Sequence, residues 1–279
     1  MWEQPKAKTA GCRLERVIVM KTTFRFYILD AFIKTFGFAV FVLLTFGLVY
    51  VCSFGATESE IQAAIKNGIA KGETSIDVSS LQADPQQVVD TFKQMYMNDP
   101  CMYVVDGSVS CKYVNEYASS IEVKYIVSTA SEQGYDSIVS DIASKATGSD
   151  VDKVKFVHDY LIENFKASST GSSSYDLLVK GSGRCSAYAM AYKEILNELG
   201  IECVTATSEK MAHQWNMVKL NGNWYHVDVY WDKNYSDQMG QTRRDNFLKS
   251  DACITILEHS DWQSEGNVKA TDTTYDFEF

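Results

Sequence analysis

The sequence predicts an α+β fold in which a helix carrying a cysteine packs on an antiparallel sheet carrying a histidine and an aspartate. Three observations lead there. Gly181-Ser-Gly-Arg-Cys185 opens a run of helix formers, Asn221-Gly222 separates two strand-like runs, and His213 and Asp228 fall on those two runs.

The helix reads from Ser186 to Leu199, with an apolar stripe at Tyr188, Tyr192, Ile195 and Leu199 and Gly200 as its stop. Cys185 therefore stands at a helix N-terminus. There the unpaired backbone N–H groups and the positive dipole end favour a thiolate over a thiol, and Arg184 adds a neighbouring positive charge.

The hairpin reads from His213 to Leu220 and from Asn223 to Trp231, because Asn-Gly is the strongest short signal for a two-residue type I′ turn. Pairing Leu220 with Asn223 sets Tyr230 opposite His213 and makes Asp228 a same-face diagonal neighbour of His213. Diagonal positions lie about 7–8 Å apart, within reach of two medium side chains. A slip of one residue would send Asp228 to the other face.

A thiol, an imidazole and a carboxylate in this arrangement are what nucleophilic acyl transfer requires: a nucleophile, a base that takes its proton, and a group that orients the base. Each residue alone has a plainer reading, as a small buried cysteine or a surface hairpin residue. Met together, the helix-start cysteine, the turn-specified hairpin and the shared His/Asp face point to a cysteine enzyme with Cys185, His213 and Asp228 as catalytic residues. His226 shares the face of Asp228 and is the competing base.

The run Asp152-Lys-Val-Lys-Phe-Val-His-Asp-Tyr-Leu161, Gly183-Arg-Cys185-Ser-Ala-Tyr-Ala, Gly200-Ile, His213-Gln-Trp-Asn and Gly222-Asn-Trp-Tyr-His-Val-Asp228-Val-Tyr-Trp-Asp232 resembles the bacterial transglutaminase-like superfamily. The resemblance covers residues 149 to 232 and extends more weakly to Asn246-Phe-Leu-Lys-Ser-Asp251 and His259. It implies a papain-like core and places the family's Cys, His and Asp on Cys185, His213 and Asp228. The chain departs from the family at Asp228-Val229-Tyr230-Trp231, where Asp-Pro/Ala-Thr-Trp is usual, and at Ser186-Ala187 after the nucleophile. Tyr188, Trp215, Tyr230 and Trp231 are the candidate substrate-binding aromatics, although aromatics at such spacing more often serve the core.

Residues 35–56 are uncharged for 22 positions, about 33 Å as a helix, long enough to cross a bilayer. Seven Lys/Arg precede this span, which by the positive-inside rule leaves the N-terminus in the cytoplasm and the enzyme outside. A cleaved signal peptide is the alternative, without a clean Ala-x-Ala site to support it. The expected organisation is a basic cytoplasmic segment (1–34), a transmembrane anchor (35–56), a small α+β module (57–147) and the catalytic domain (148–279).

Of the formal net charge of −10, residues beyond 56 carry 19 basic and 33 acidic groups, a balance unsuited to nucleic acid. The partner expected is a protein or peptide, with cell-wall stem peptides among the open candidates. In the small module, helices are expected over Glu58 to Ala70, Asp84 to Met97 and Tyr135 to Ala146, and strands over Cys101 to Val105, Val109 to Val114 and Ser120 to Val127. A Cys101–Cys111 disulfide would need a longer loop than that hairpin offers. The four histidines show no zinc spacing with Cys and the acids form no calcium loop, so no cofactor or metal is expected. The rival class is a binding protein that keeps this fold without turnover.

Overall fold

The computed structural model describes residues 39–42, 49–52, 55–127 and 129–279. Within the expected membrane span, Ala39–Val42 (β1) and Val49–Cys52 (β2) pair as antiparallel strands. The rest of that span and the basic segment before it lie outside the described residues. No described helix is long and apolar enough to cross a membrane.

Residues 55–279 form one unit with two main hydrophobic clusters. The first cluster belongs to the small module. Helix α1 (Glu58–Ala70) starts in a capping box between Thr57 and Glu60, and α2 (Pro85–Asn98) starts with Asp84 accepting from the N–H groups of Gln86 and Gln87. Both bury an apolar face on the sheet β3-β5-β4, built from Ser75–Asp77, Tyr117–Tyr125 and Val105–Val114.

The hairpin in this sheet differs from expectation. Residues 100–104 form a short 3₁₀ helix, and β4 runs through Asp106-Gly107-Ser108 with a register shift between Val105 and Val109. Gly107 marks a bulge there: its φ is +79°, and a Cβ would meet the Tyr96 ring at 2.6 Å. The reversal falls at Asn115-Glu116, both at positive φ. Cys101 and Cys111 are free, as are Cys185, Cys203 and Cys253.

The second cluster holds α3 (Thr129–Lys145), α4 (Asp150–Asn164), α5 (Ser174–Leu178) and α6 (Cys185–Glu198) against a five-stranded sheet. Its strand order is β11-β10-β9-β8-β12, with β8 at Cys203–Ser208, β9 at His213–Leu220, β10 at Asn223–Val227, β11 at Phe247–Lys249 and β12 at Gln263–Ser264. Two short parallel strands, β6 (Lys166–Ala167) and β7 (Ser182–Gly183), bring the chain to the start of α6. Helix α6 buries Ala187, Tyr188, Ala191, Tyr192, Ile195 and Leu196.

The C-terminal end of α2 is held by the second half of the unit. Gln214 Nε2 donates to the Met97 carbonyl at 2.6 Å, and Lys193 Nζ donates to the Asn98 carbonyl at 2.7 Å. Thr205 donates its hydroxyl to the Asn98 side chain. These donors occupy carbonyls and side-chain oxygen at the helix end that would otherwise need water.

Candidate active site

Cys185 is the first residue of α6, with Arg184 as N-cap. The turn that delivers it is tight, because a Cβ on Gly183 would lie 2.4 Å from the Ala187 Cβ. Only glycine lets β7 run this close to the first turn of the helix.

His213 is the first residue of β9, and the hairpin register fixes its surroundings. Asn223 pairs with Leu220 and Val227 with Asn216, through a turn in which Asn221 and Gly222 both have positive φ, as type I′ requires. The strand ends at Val227. The expected continuation to Trp231 gives way to α7 (Val229–Met239), whose N-cap is Asp228. Asp228 Oδ1 accepts the Trp231 N–H at 3.0 Å, a cap that competes with the ladder and turns the backbone into a helix. Tyr230 thus does not pair with His213. The carboxylate still reaches the imidazole, with His213 Nε2 2.6 Å from Asp228 Oδ2.

With Nε2 committed to Asp228, the other ring nitrogen is left free for Cys185, which lines the same cleft as His213. Burial disfavours charge on the ring, but the Asp228 carboxylate and the Cys185 thiolate outweigh it and raise the His213 pKa to about 10. Burial likewise pushes Asp228 up, yet the His213 charge and the hydrogen bonds from His213 and His259 hold it well below the usual carboxylate range. Burial opposes the Cys185 thiolate too, and the His213 hydrogen bond and charge, with backbone N–H groups of Gln214 and Ser186, bring the thiol below its ordinary value. The surroundings thus favour the thiolate, the imidazolium and the carboxylate over their neutral forms.

His226 is placed differently. It is fully buried, its Nδ1 accepts the Trp215 indole N–H at 3.0 Å and its Nε2 lies 2.9 Å from Asp251 Oδ1. Accepting at Nδ1 puts its proton on Nε2, toward Asp251. Burial lowers its pKa. It is a structural imidazole that steadies Trp215.

The four candidate aromatics surround the catalytic groups from within. Trp215 and Tyr188 are buried and do not offer a binding surface, a correction to the expectation for both. Trp215 and Trp231 each stack on the His213 ring, at centroid distances of 5.5 and 5.4 Å. Tyr230 and Trp231 are half-buried, and the Tyr230 hydroxyl donates to the Ser168 carbonyl. Apolar burial drives indole and phenol rings inward here, and it fixes the imidazole plane.

The cleft at Cys185 measures about 300 Å³ and is lined by Arg184, Cys185, Ser186, His213 and Gln214, by Thr207 and Ser208 at the end of β8, by Glu209 and Ala212 of the β8–β9 connection, and by Met97 of α2. Sequence reasoning missed these walls. Residues 207–212 lie just before His213 and were within reach of the hairpin argument, whereas Met97 arrives from the distant module with no sequence signal.

His259, which the sequence marked only weakly and without a role, also stands at the site. It is fully buried and its Nε2 lies 2.8 Å from Asp228 Oδ2, the oxygen already shared with His213. His213, Asp228 and His259 thereby gather their potential ligand atoms within 4.8 Å. The two N···O separations, 2.6 and 2.8 Å, are hydrogen-bond lengths; two ligands at about 2.0–2.1 Å on one tetrahedral zinc would stand roughly 3.3 Å apart. The cluster is a proton-linked carboxylate rather than a metal cage.

Residues 136–229, which include Cys185, His213 and Asp228, match the family model of the transglutaminase-like superfamily. Over these residues the chain carries a transglutaminase-like domain. No curated protein matches the chain. Among solved structures, it is similar to a TGase at 14% identity over 44% of this chain and 44% of that one, with a TM-score of 0.33. It is also similar to a candidate cysteine protease from Cytophaga hutchinsonii (13% identity, 59% of this chain, 73% of that one, TM-score 0.30). A candidate protease from Parabacteroides distasonis is similar at 12% identity over 44% of this chain and 35% of that one, with a TM-score of 0.29. The chain thus spans less than half of the TGase it matches.

Proposed function

We propose that this protein is a transglutaminase-like cysteine enzyme with a papain-like core, acting on amide bonds of a protein or peptide. The observation that carries this reading is the 2.6 Å His213–Asp228 hydrogen bond at a cleft that His213 and the helix-start Cys185 both line.

The Cys185 thiolate attacks the carbonyl carbon, and the developing oxyanion is met by N–H groups at the start of α6. His213, protonated, gives its proton to the leaving amine as the C–N bond breaks and a thioester forms. Water then loses a proton to His213 and attacks the thioester, releasing a carboxylic acid and restoring Cys185. Asp228 holds the imidazole orientation throughout. Hydrolysis is the favoured outcome over amine transfer, because the cleft opens to solvent, with Arg184, Ser186, Thr207 and Glu209 in its wall, and so does not exclude water.

We place the enzyme outside the cytoplasmic membrane, anchored through residues 35–56, on the charge asymmetry around that segment. Protease added to intact wall-stripped cells should then remove residues beyond the anchor; protection until lysis would reverse the topology.

The chemistry is tested on the full chain. Iodoacetamide at neutral pH should label Cys185 ahead of Cys203 and Cys253, and a glutamine-containing peptide should release ammonia with free acid exceeding amine adduct. Absence of Cys185 labelling would favour a non-catalytic binding protein, and dominant amine incorporation would make transfer the activity.

A further inference from the structure

The reaction requires one imidazole on Asp228, and the carboxylate holds two. His259 follows α8 (Asp251–Ile256), where its N–H closes the helix end on the Ile254 carbonyl at 3.1 Å. Its ring lies 4.2 Å from Trp231 and meets Trp215 edge-on at 4.8 Å, so the two indoles that flank His213 also confine His259. The imidazole rings of His213 and His259 are 5.9 Å apart. Their Nε2 atoms converge on the single oxygen Oδ2 at 2.6 and 2.8 Å.

We propose that His259 is a positioning residue of the reaction, acting through Asp228. An ionised carboxylate oxygen has two lone-pair sites, and Oδ2 spends one on each imidazole. With Oδ1 held by the Trp231 N–H, three donors from β9, α7 and the segment after α8 pin the carboxylate against rotation about its Cβ–Cγ bond. Remove the His259 donor and Oδ2 is restrained only by the group it is meant to orient. A displacement of about 1 Å in a catalytic group costs on the order of 10²-fold in rate. His259 contacts neither cleft nor nucleophile: the cleft walls do not include it, and its other ring nitrogen faces the Leu257 carbonyl at 3.2 Å.

This inference rests on the proposed role of the triad, and its test separates the two. In the full chain, the rate of Cys185 carboxamidomethylation is measured against Cys203 and Cys253 of the same molecule. Wild type failing to favour Cys185 would undo the functional reading itself. Given a reactive wild type, His259→Leu should slow Cys185 about 10- to 100-fold, whereas His259→Gln, whose amide N–H reaches the same position, should recover to within a few-fold of wild type. Equal rates in wild type and His259→Leu, or equal losses in both variants at unchanged melting temperature, would overturn the proposal. Should His259→Leu not fold, ¹⁵N-histidine spectra of the unmodified protein decide: a protonated His259 Nε2 at neutral pH supports the role, and a bare one refutes it.

Discussion

Replacing Asp228 by Asn removes the charge while keeping the shape, so its effect isolates what the carboxylate contributes. The buried His213 imidazolium is held at about 10 against 6.5 for an ordinary ring. At 1.36 kcal/mol per pH unit this gap corresponds to about 5 kcal/mol favouring the charged ring, of which Asp228 is the largest favourable source and the Cys185 thiolate the next. Assigning about half to Asp228 gives roughly 2.5 kcal/mol lost in the variant, or about 10²-fold in the equilibrium constant between the thiolate–imidazolium pair and the neutral thiol and imidazole. The amide also cannot satisfy all three donors. With its oxygen toward the imidazoles, its NH₂ opposes the Trp231 N–H and the α7 cap is lost; reversed, it opposes His213 and His259. The assay is iodoacetamide labelling of Cys185 at pH 7, read by mass spectrometry with Cys203 as internal reference and circular dichroism as the check on folding. A labelling rate within twofold of wild type in a folded Asp228→Asn protein would refute this account of the site's electrostatics.

Three further outcomes are expected. Gly183→Ala should cost about 1–3 kcal/mol in denaturant unfolding, because the new methyl meets Ala187 at 2.4 Å, and it should slow Cys185 labelling by shifting the first turn of α6. Tyr188→Phe should be neutral or stabilising by about 1 kcal/mol, since the buried Tyr188 hydroxyl has no hydrogen-bond partner; a loss beyond that would reveal one. Glu194 has its pKa raised to about 7, burial outweighing its hydrogen bonds with Tyr135 and Ser174. The fold therefore favours the neutral carboxyl, a contribution present below about 4.5 and lost as pH rises through about 7. Glu194→Gln should accordingly gain in melting temperature relative to wild type between pH 5 and pH 8, and a difference constant with pH would show that Glu194 does not titrate in that range.

The parts of this structure written in local chemistry were legible. Asn221-Gly222 specified the turn, and with it the register that brings β9 and β10 together. Asp84 marked a helix start that its capping bonds to Gln86 and Gln87 bear out. Legibility failed where one residue serves two local programmes. Asp228 extends an alternating strand pattern and is equally a good N-cap, and the Trp231 N–H decides for the helix. Gly107 between Asp106 and Ser108 looks like a turn, but the packing of Tyr96 makes it a bulge. His259 carried only a weak trace, because the partner that gives it meaning lies 31 residues earlier in the chain. Trp215 and Tyr188 show the converse: their proximity to the site was readable, while their burial depends on packing that no short motif encodes.

The grip on the end of α2 has a consequence for how a protein of this architecture can diversify. Gln214, the residue next to the proposed base His213, reaches back to the Met97 carbonyl, and Met97 itself stands in the cleft wall. The reacting groups all lie within residues 136–229, but one side of the opening is furnished by a helix that the superfamily segment does not contain. On the proposed function, chemistry and choice of substrate would thus be carried on separate stretches of chain. Changes at the tip of α2 can redraw what enters while Cys185, His213 and Asp228 stay untouched, and a fragment beginning at residue 136 would keep the triad and lose the doorway.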